Sequence, residues 1–458
     1  MSSTSIAWFR RDLRLDDNPA WAAACEADHT IALVVIEPTL LDAAGPFRRD
    51  AFLHGLHDLD SQLREHGGRL RVETGDPAEI VARVVEETGA EQVHANADVT
   101  RWSQARDDAV DAALADPLVR HWGTLVQPPG SVLTKKGTLS RVFTPFHKAW
   151  AEVPVEPAVS GEPNSLASTT TDDIPAVSSP TPPTAAEIVD RAVERAPDYP
   201  DERDRPDHAG TTELSIALRF GRVSARDLAR TLGRKRNDGA GAVVRQLAWR
   251  DWYAHTTYAR PDIDRVALRP DYDRIEWETG DDADRAFAAW RDGRTGYPIV
   301  DAGMRQLAET GWMHNRVRMI AASFLVKDLL VDWRRGERWF RHMLADGDIP
   351  QNAGNWQWVA GTGPDAAPYF RIFNPTTQSE RHDPDGTYIR RWVPELADLD
   401  DEAIHEPSAV APLDLEAAGV TLGDTYPTPI VDHGAARDET LTVYKRALEA
   451  ADDADTEK

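Results

Sequence analysis

At 458 residues the chain is long enough for two or three domains with sizeable cores. Its 41% apolar and 28% charged content describes a soluble protein, and no apolar run approaches the roughly 18 residues a membrane span needs. The net charge is −25, from 77 acidic against 52 basic residues, only seven of them lysine. That balance reads as a solvated acidic surface kept soluble in high salt, and a uniform version of it would count against a polyanionic partner such as nucleic acid. The charge is not uniform: RRDLRL, GRKRN and DWRRGERWFRH are local basic clusters.

The first residues, MSSTSIAWFRRDLRL, lack the long apolar core of a signal peptide and turn basic early. One cysteine, Cys25, leaves no internal disulfide framework and fits a reducing cytoplasm. Residues 5–9, 30–38, 69–75, 91–97 and 124–127 read as buried strands. Between them, residues 47–66 place Phe52, Leu56, Leu59 and Leu63 on one helical face. Asp76 followed by Pro77 is an N-cap with proline at the first helical position, which predicts a helix over 78–88. Strands spaced by such helices predict an α/β domain with a doubly wound parallel sheet over 1–130, whose ligands sit at the carboxyl ends of the strands. No GxGxxG follows the first strand.

Between about 153 and 196 the composition shifts to Pro, Ser, Thr, Ala and Glu, which predicts a surface linker inside 131–198. From 199 onward the pattern is helical throughout, giving an all-α domain over 199–458. Two short helices break at Gly221, and 243–259 reads as an amphipathic helix. Residues 300–311 end on a C-cap glycine, 312–334 form one long buried helix, and a last helix lies near 439–450.

The stretch 311–375 concentrates Trp, Asn, Arg and Asp, which fits an aromatic core, a binding groove or a pocket for a flat cofactor. At 100° per residue, Asn315, Arg316, Arg318 and Met319 fall within an arc of about 160°. One helix face therefore offers an amide, two guanidiniums and a thioether. Asp346 and Asp348 flank Gly347 in an acidic turn, where an arginine such as Arg318 would form a buried pair needing further hydrogen bonds. Asn352 can both donate and accept, which suits a cofactor nitrogen whose protonation changes. Ten of 15 Trp lie in 249–392. In a helix Trp356 and Trp358 point about 200° apart, so one can face a cofactor and the other a groove. Thr211, Thr212 and Ser215 give a hydroxyl-rich helix start able to hold a phosphate.

At this point the chain closely resembles the DNA photolyase/cryptochrome family, and specifically its cyclobutane-dimer photolyases of class I. WFRRDLRLDDNPA, GTTELSIALRFGRVS, QLAWRDWY, TGYPIVDAGMRQL, GWMHNRVRMIAASFLVKDLL, DWRRGERWF, DGDIPQNAGNWQW and YFRIFNPTTQ follow one another in family order. The resemblance covers nearly everything outside the linker and final tail. It implies an N-terminal α/β antenna domain and a C-terminal all-helical domain holding FAD. Tyr199, Thr211, Thr212, Leu214 and Ser215 would touch the FAD phosphates and adenosine side, with Arg250 a further cofactor contact. Arg318 and Asp346 would pair across the flavin, Asp348 would lie at its polar edge, and Asn352 would face N5. Trp356, Trp333 and Trp277 match the relay that carries electrons between flavin and surface. Arg203, Gln246, Trp249, Asn315, Arg316, Met319 and Trp358 would surround a flipped-out pyrimidine dimer in UV-damaged DNA. Light-driven electron donation to the dimer would then split it without net redox.

Three departures stand out. Gln246 occupies the place of a usual Glu, and Gln there also occurs in (6-4) photolyases and animal cryptochromes. Those proteins, however, carry two His where this chain has Asn315 and Met319, so a cyclobutane dimer is the expected lesion. Glu213 sits beside the phosphate segment where a basic or neutral residue is common. Trp102 and Ser103 stand where a folate antenna needs Asn-Glu, so a second chromophore of the 8-hydroxy-5-deazaflavin type is nearer. A cryptochrome-like blue-light photoreceptor, a (6-4) photolyase and an FAD protein binding nucleic acid without chemistry remain as alternatives. Asn352 and the short tail argue against a long signalling extension, and a monomer is expected.

Overall fold

The computed structural model describes residues 2–167, 172–235, 237–365 and 367–456. The chain divides into two compact units. The first comprises Met1–Pro200, Thr212–Pro261 and Ala345–Pro350; the second comprises Asp201–Thr211, Asp262–Leu344 and Gln351–Lys458.

The first unit is built on a parallel sheet of β1 (Thr4–Phe9), β2 (His29–Ile36), β3 (Arg71–Thr74), β4 (Gln92–Asn96) and β5 (Val119–His121), in the order β3-β2-β1-β4-β5. Side chains alternate across β1: Ile6 and Trp8 enter one apolar layer with Val81, Val84 and Val110. Ala7 and Phe9 enter the other, with Leu53, Leu56, Leu59 and Leu63 of the helix Pro46–Glu65. The strand order reverses between β1 and β4, so the carboxyl ends of these two strands form the switch point of the sheet.

Local signals hold where their partners are close in sequence. Asp76 caps the helix Pro77–Thr88 by accepting from the N–H groups of Ala78 and Glu79, and Gly89 ends it at φ 65°. Gly311 ends Pro298–Thr310 in the same way. Four expectations need correction. Residues 124–127 are not a strand; the fifth strand is Val119–His121, and the N–H groups of Val126 and Gln127 donate to the buried carboxylate of Asp251. The stretch read as a bare linker carries the helices Phe143–Glu152 and Ala185–Arg195, the second closed by a Thr184/Glu187 capping box. The helix Asp238–Ala259 is buried on most of its surface in its second half rather than amphipathic. The expected single helix over 312–334 is three pieces: Asn315–Ser323, a π-helical turn Phe324–Asp328, and Trp333–Met343 after a break where Leu330 takes φ 49°. Among the described residues no helix is long and apolar enough to cross a membrane.

His94 on β4 and His121 on β5 meet Nδ1 to Nε2 at 3.1 Å, and burial penalises the charged form of both rings, lowering His121 and taking His94 to about 4. A histidine whose folded pKa lies below its unfolded 6.5 stabilises the fold above that value and loses this contribution as pH falls toward 4. We expect stability to fall over that window. Denaturant midpoints at both ends of the window should differ less in His94→Gln.

Candidate functional site

In the first unit the site begins where β1 and β4 end. Arg11, two residues past β1, reaches Asp348 in a fork: Nη1 donates to Oδ1 at 2.9 Å and Nη2 to Oδ2 at 3.2 Å. Asp98, two residues past β4, lies on the same guanidinium at 3.3 Å. Arg219 donates Nε to the Gly347 carbonyl at 2.9 Å and stands 3.7 Å from Asp348. Burial alone would raise the Asp348 carboxyl, but Arg11 and Arg219 overcome it and hold it below the usual range. Burial, then Arg11, lowers Arg219 to about 10. Two donors here have no partner although they are buried, Arg11 Nε and Arg219 Nη1. Orphaned buried donors beside a turn that holds Asp346 and Asp348 are what a site for a polar-edged ligand such as a flavin requires.

Of the segment expected to hold a phosphate, Thr212, Leu214 and Ser215 lie in the same unit, whereas Thr211 belongs to the other. Leu214 precedes the short helix Ser215–Arg219, and Glu213 before it takes φ 54°. Glu213 does not leave an open negative charge beside Thr212 and Ser215. Its carboxylate is taken by Arg191 at 2.9 Å and Arg195 at 3.5 Å, both on Ala185–Arg195. Arg250 is buried and donates to the carbonyls of Thr124 and Leu218. Tyr199 packs at the edge of the core formed by Phe146, Leu214 and Trp252. Gln246 and Trp249 are half-buried on one face of Asp238–Ala259. Gln246 makes one weak bond, from Nε2 to the Ala242 carbonyl at 3.5 Å, so its second N–H as well as its amide oxygen is available to a ligand. Trp249 is stacked on Phe143, ring centroids 3.6 Å apart at 10°.

In the second unit, Asn315–Ser323 buries Val317 and Ile320 and turns Asn315, Arg316, Arg318 and Met319 the other way. Asn315 Nδ2 points at Met319 Sδ, 3.7 Å away. Arg316 pairs with Asp204 at 3.0 Å, beside Arg203, while its Nε is buried without a partner. Arg318 donates Nε to the Met313 carbonyl. Arg318 and Asp346 belong to different units. His314 caps this helix by accepting from Arg316 N, a role the sequence reading missed.

The helix Ile349–Ala360 carries Asn352, Trp356 and Trp358. Asn352 is 9% exposed. Its Nδ2 donates twice to Glu337, to the carbonyl at 2.8 Å and to Oε1 at 2.9 Å. That fixes the amide orientation and leaves Oδ1 as the atom offered to a ligand. Glu337 is fully buried, burial raises its carboxyl, and Arg341 stands 3.3 Å from its other oxygen. Trp356 is buried and Trp358 half-buried, as their 200° separation requires. Trp333 and Trp356 share one core, with Trp277 packed against it. The ring neighbours of Trp356 are Phe340 at 5.0 Å and Trp290 at 6.2 Å, neither of which the sequence singled out. Gly336 makes room for this ring: a Cβ there would sit 2.2 Å from Trp356 Cη2 and 2.5 Å from Leu325 Cδ2. Gly336→Ala should therefore cost about 1–3 kcal/mol by overpacking, although alanine normally favours a helix. Urea unfolding reads the sign; a stabilised variant would show the ring has space.

A separate polar cluster lies over Trp8 in the first unit. Arg10 and Arg106 cover its ring at 4.5 and 5.0 Å, and Arg106 also covers half-exposed Trp102 at 5.0 Å. Burial pushes the Glu37 carboxyl beside them up to about 7. Trp8 Nε1 and Arg10 Nε are buried without partners. Ser103, at the folate position, is buried and bonded to Thr100 and Asp98.

The fold and these residues define a flavoprotein of the photolyase/cryptochrome class. The family model described as DNA photolyase matches residues 5–163, and that described as the FAD binding domain of DNA photolyase matches 243–446. The deoxyribodipyrimidine photo-lyase of Streptomyces griseus is 42% identical over 459 residues, covering 95% of this chain and 98% of its own. A class III photolyase from Agrobacterium tumefaciens superposes with a TM-score of 0.91 at 37% identity over 98% of both chains. An archaeal photolyase from Sulfolobus tokodaii, described with two FAD molecules, gives 0.85 at 33% identity over 97% of this chain and 100% of its own. The chain belongs to the DNA photolyase family, and it carries that family's FAD-binding domain.

Proposed function

We propose that the protein repairs cyclobutane pyrimidine dimers in UV-damaged DNA with light. Bound reduced FAD would supply the electron that opens the dimer and take it back afterwards. The chain's own residues bind, orient and exclude water. In the first unit Tyr199, Thr212, Leu214, Ser215, Arg250, Asp346 and Asp348 are the cofactor contacts; in the second they are Thr211, Arg318 and Asn352. Trp249 and Trp358 supply apolar faces to an extruded lesion, Gln246 and Asn315 supply amides to its carbonyls, and Arg203 and Arg316 supply charge to the strand. Trp356, Trp333 and Trp277 pass electrons to the flavin.

The observation that carries the choice of lesion is the Asn315–Met319 pair. Neither side chain gains or loses a proton near neutral pH. Opening a cyclobutane dimer needs electrons but no proton relay at these positions, whereas returning an oxygen between the two bases of a (6-4) product needs proton movement. Oligonucleotides carrying one lesion or the other test this: under blue light only the cyclobutane dimer should be consumed. Consumption of the (6-4) product alone would overturn the reading. Gln246 hydrogen-bonds a carbonyl without supplying a proton, so Gln246→Glu should keep or improve dimer repair at unchanged FAD content. Loss of bound FAD in that variant would mean Gln246 does not face the lesion.

The cluster of Trp8, Arg10, Glu37, Trp102 and Arg106 is proposed as the seat of a second chromophore, of deazaflavin rather than folate type. Its orphaned indole and guanidinium donors suit a polar ring edge, and Trp102 and Ser103 offer neither the amide nor the carboxylate that a folate needs. Adding each chromophore to purified protein and reading its absorption band separates the two.

A further inference from the structure

The acidic residues of this chain run along its whole length with one long gap. Between Asp116 and Glu152 no residue is acidic, although the chain holds 77 Asp and Glu. The gap contains three of the seven lysines, Lys135, Lys136 and Lys148, together with Arg120 and Arg141. Arg120 is taken by Asp108 at 2.9 Å. The other four are exposed, and among the described residues none of them makes an ion pair. The clusters RRDLRL and DWRRGERWFRH behave differently. Arg10 and Arg11 pair with Asp107 and Asp348, and Arg334, Arg335 and Arg341 pair with Asp273, Asp284 and Asp264. Most of their charge is spent inside the fold.

Lys135 and Lys136 stand at the tip of a turn over 134–138 in the first unit. Its neck is closed by Thr134 N donating to the Thr138 carbonyl at 2.8 Å and by the two threonine hydroxyls at 3.0 Å. Gly137 reverses the chain at φ 72°. Below the neck Val132 is buried, Leu139 packs on the same core, and Trp252 Nε1 donates to the Ser140 carbonyl at 3.0 Å. The turn is braced at neck and base, so engaging a ligand orders little more than the lysine side chains. The same core seats Trp249 through its stack on Phe143. Arg141 lies two residues before Phe143, and exposed Arg245 covers the Phe143 ring at 5.0 Å. Lys148 follows His147, which stacks on Phe143 at 5.6 Å. Trp249 is thus backed by a cationic rim.

We propose that the turn over 134–138 is a clamp on the DNA backbone: Lys135 and Lys136 at its tip, with Arg141, Lys148 and Arg245 at its base, hold phosphates beside the lesion. This rests on the reading of the protein as one that works on DNA. A chain of net charge −25 repels a polyanion, so a strand can settle only on a face cleared of carboxylates, and this segment is such a face. Lysine suits the task, because its ammonium is a point charge on a long stem that meets a phosphate whatever base follows. The clamp therefore adds affinity without choosing sequence or damage. Choice is left to the side chains that meet the extruded lesion.

Binding by the flavin-loaded full-length protein tests this, in the dark and over a salt series, with a duplex carrying one cyclobutane dimer and the same duplex undamaged. Lys135→Ala combined with Lys136→Ala should weaken binding to both duplexes about tenfold at about 0.1 M salt, and the slope of log K against log salt should fall by about 2. Both side chains are exposed, so urea unfolding should keep its midpoint. Arg437→Ala combined with Lys445→Ala removes the same charge from the helix His433–Thr456 and should change neither affinity nor slope. Equal weakening by the two double variants would reduce the effect to net charge and overturn the clamp. An unaltered affinity and slope in the lysine variant would overturn it too, while leaving repair untouched. A loss confined to the damaged duplex would place the lysines on the lesion and contradict a backbone role. A lysine-dependent slope in a protein that splits no dimer under blue light would uphold the clamp and sink the repair reading. Failure of the unaltered chain to bind either duplex would refute both.

Discussion

Asn352→Asp should purify with oxidised flavin and repair dimers about 100-fold more slowly under limiting light. The reason is local. The Asn352 amide is held by two bonds to Glu337, both of which need its N–H group. Aspartate has no such donor. It would also bring a second carboxylate against Glu337, which burial already pushes up. One of the two must take a proton or the side chain must turn away, and either result moves the oxygen that Asn352 offers. Glu337→Gln keeps an acceptor for the same amide and should lose far less. Photoreduction followed by absorption, with single-turnover repair, measures both variants. Equal losses in the two would show that the geometry of the pair does not matter.

Asp348→Asn should be the most damaging single change to stability, at about 3–5 kcal/mol, and the variant should retain little FAD. Arg11 donates both Nη groups to this carboxylate, and Arg219 lies beside it. Removing its charge takes an ion-pair partner from two buried guanidiniums, two of whose donors are already unsatisfied. Urea unfolding and flavin content per chain are the measurements. Combining it with Arg11→Met should recover part of the stability, because the stranded charge is gone. An additive double variant would place the cost elsewhere.

Much of the fold was legible because its signals are short-range. Apolar runs gave β1 to β4, Asp76-Pro77 gave a helix start, and Gly311 gave a helix end. The fifth strand was not legible, because Val119, Arg120 and His121 form a half-exposed edge with no apolar run. The apolar run at 124–127 serves a helix core instead, through Val126. The break at Leu330 has no glycine or proline to announce it. The helix Ala185–Arg195 was announced by its capping box but hidden in a Pro- and Ser-rich setting.

The residue types of the candidate site were legible; their partners were not. Asn352 stands out in sequence, but Glu337, fifteen residues earlier, gives no sign that it orients the amide. Arg11 and Asp348 are 337 residues apart, so only the folded chain shows their fork. Glu213 looked like a defect beside the phosphate segment until Arg191 and Arg195 were found on it. Charge bookkeeping along a sequence cannot see pairs made by folding.

The most direct measurement is single-turnover repair by the purified, flavin-loaded and photoreduced protein. An oligonucleotide with one cyclobutane thymine dimer is mixed with it and split between blue light and darkness. Restored thymines in the lit sample alone, with the FAD unconsumed, are the expected result. Dimers left intact in both samples, while the protein still binds the damaged strand, would contradict repair and favour a photoreceptor.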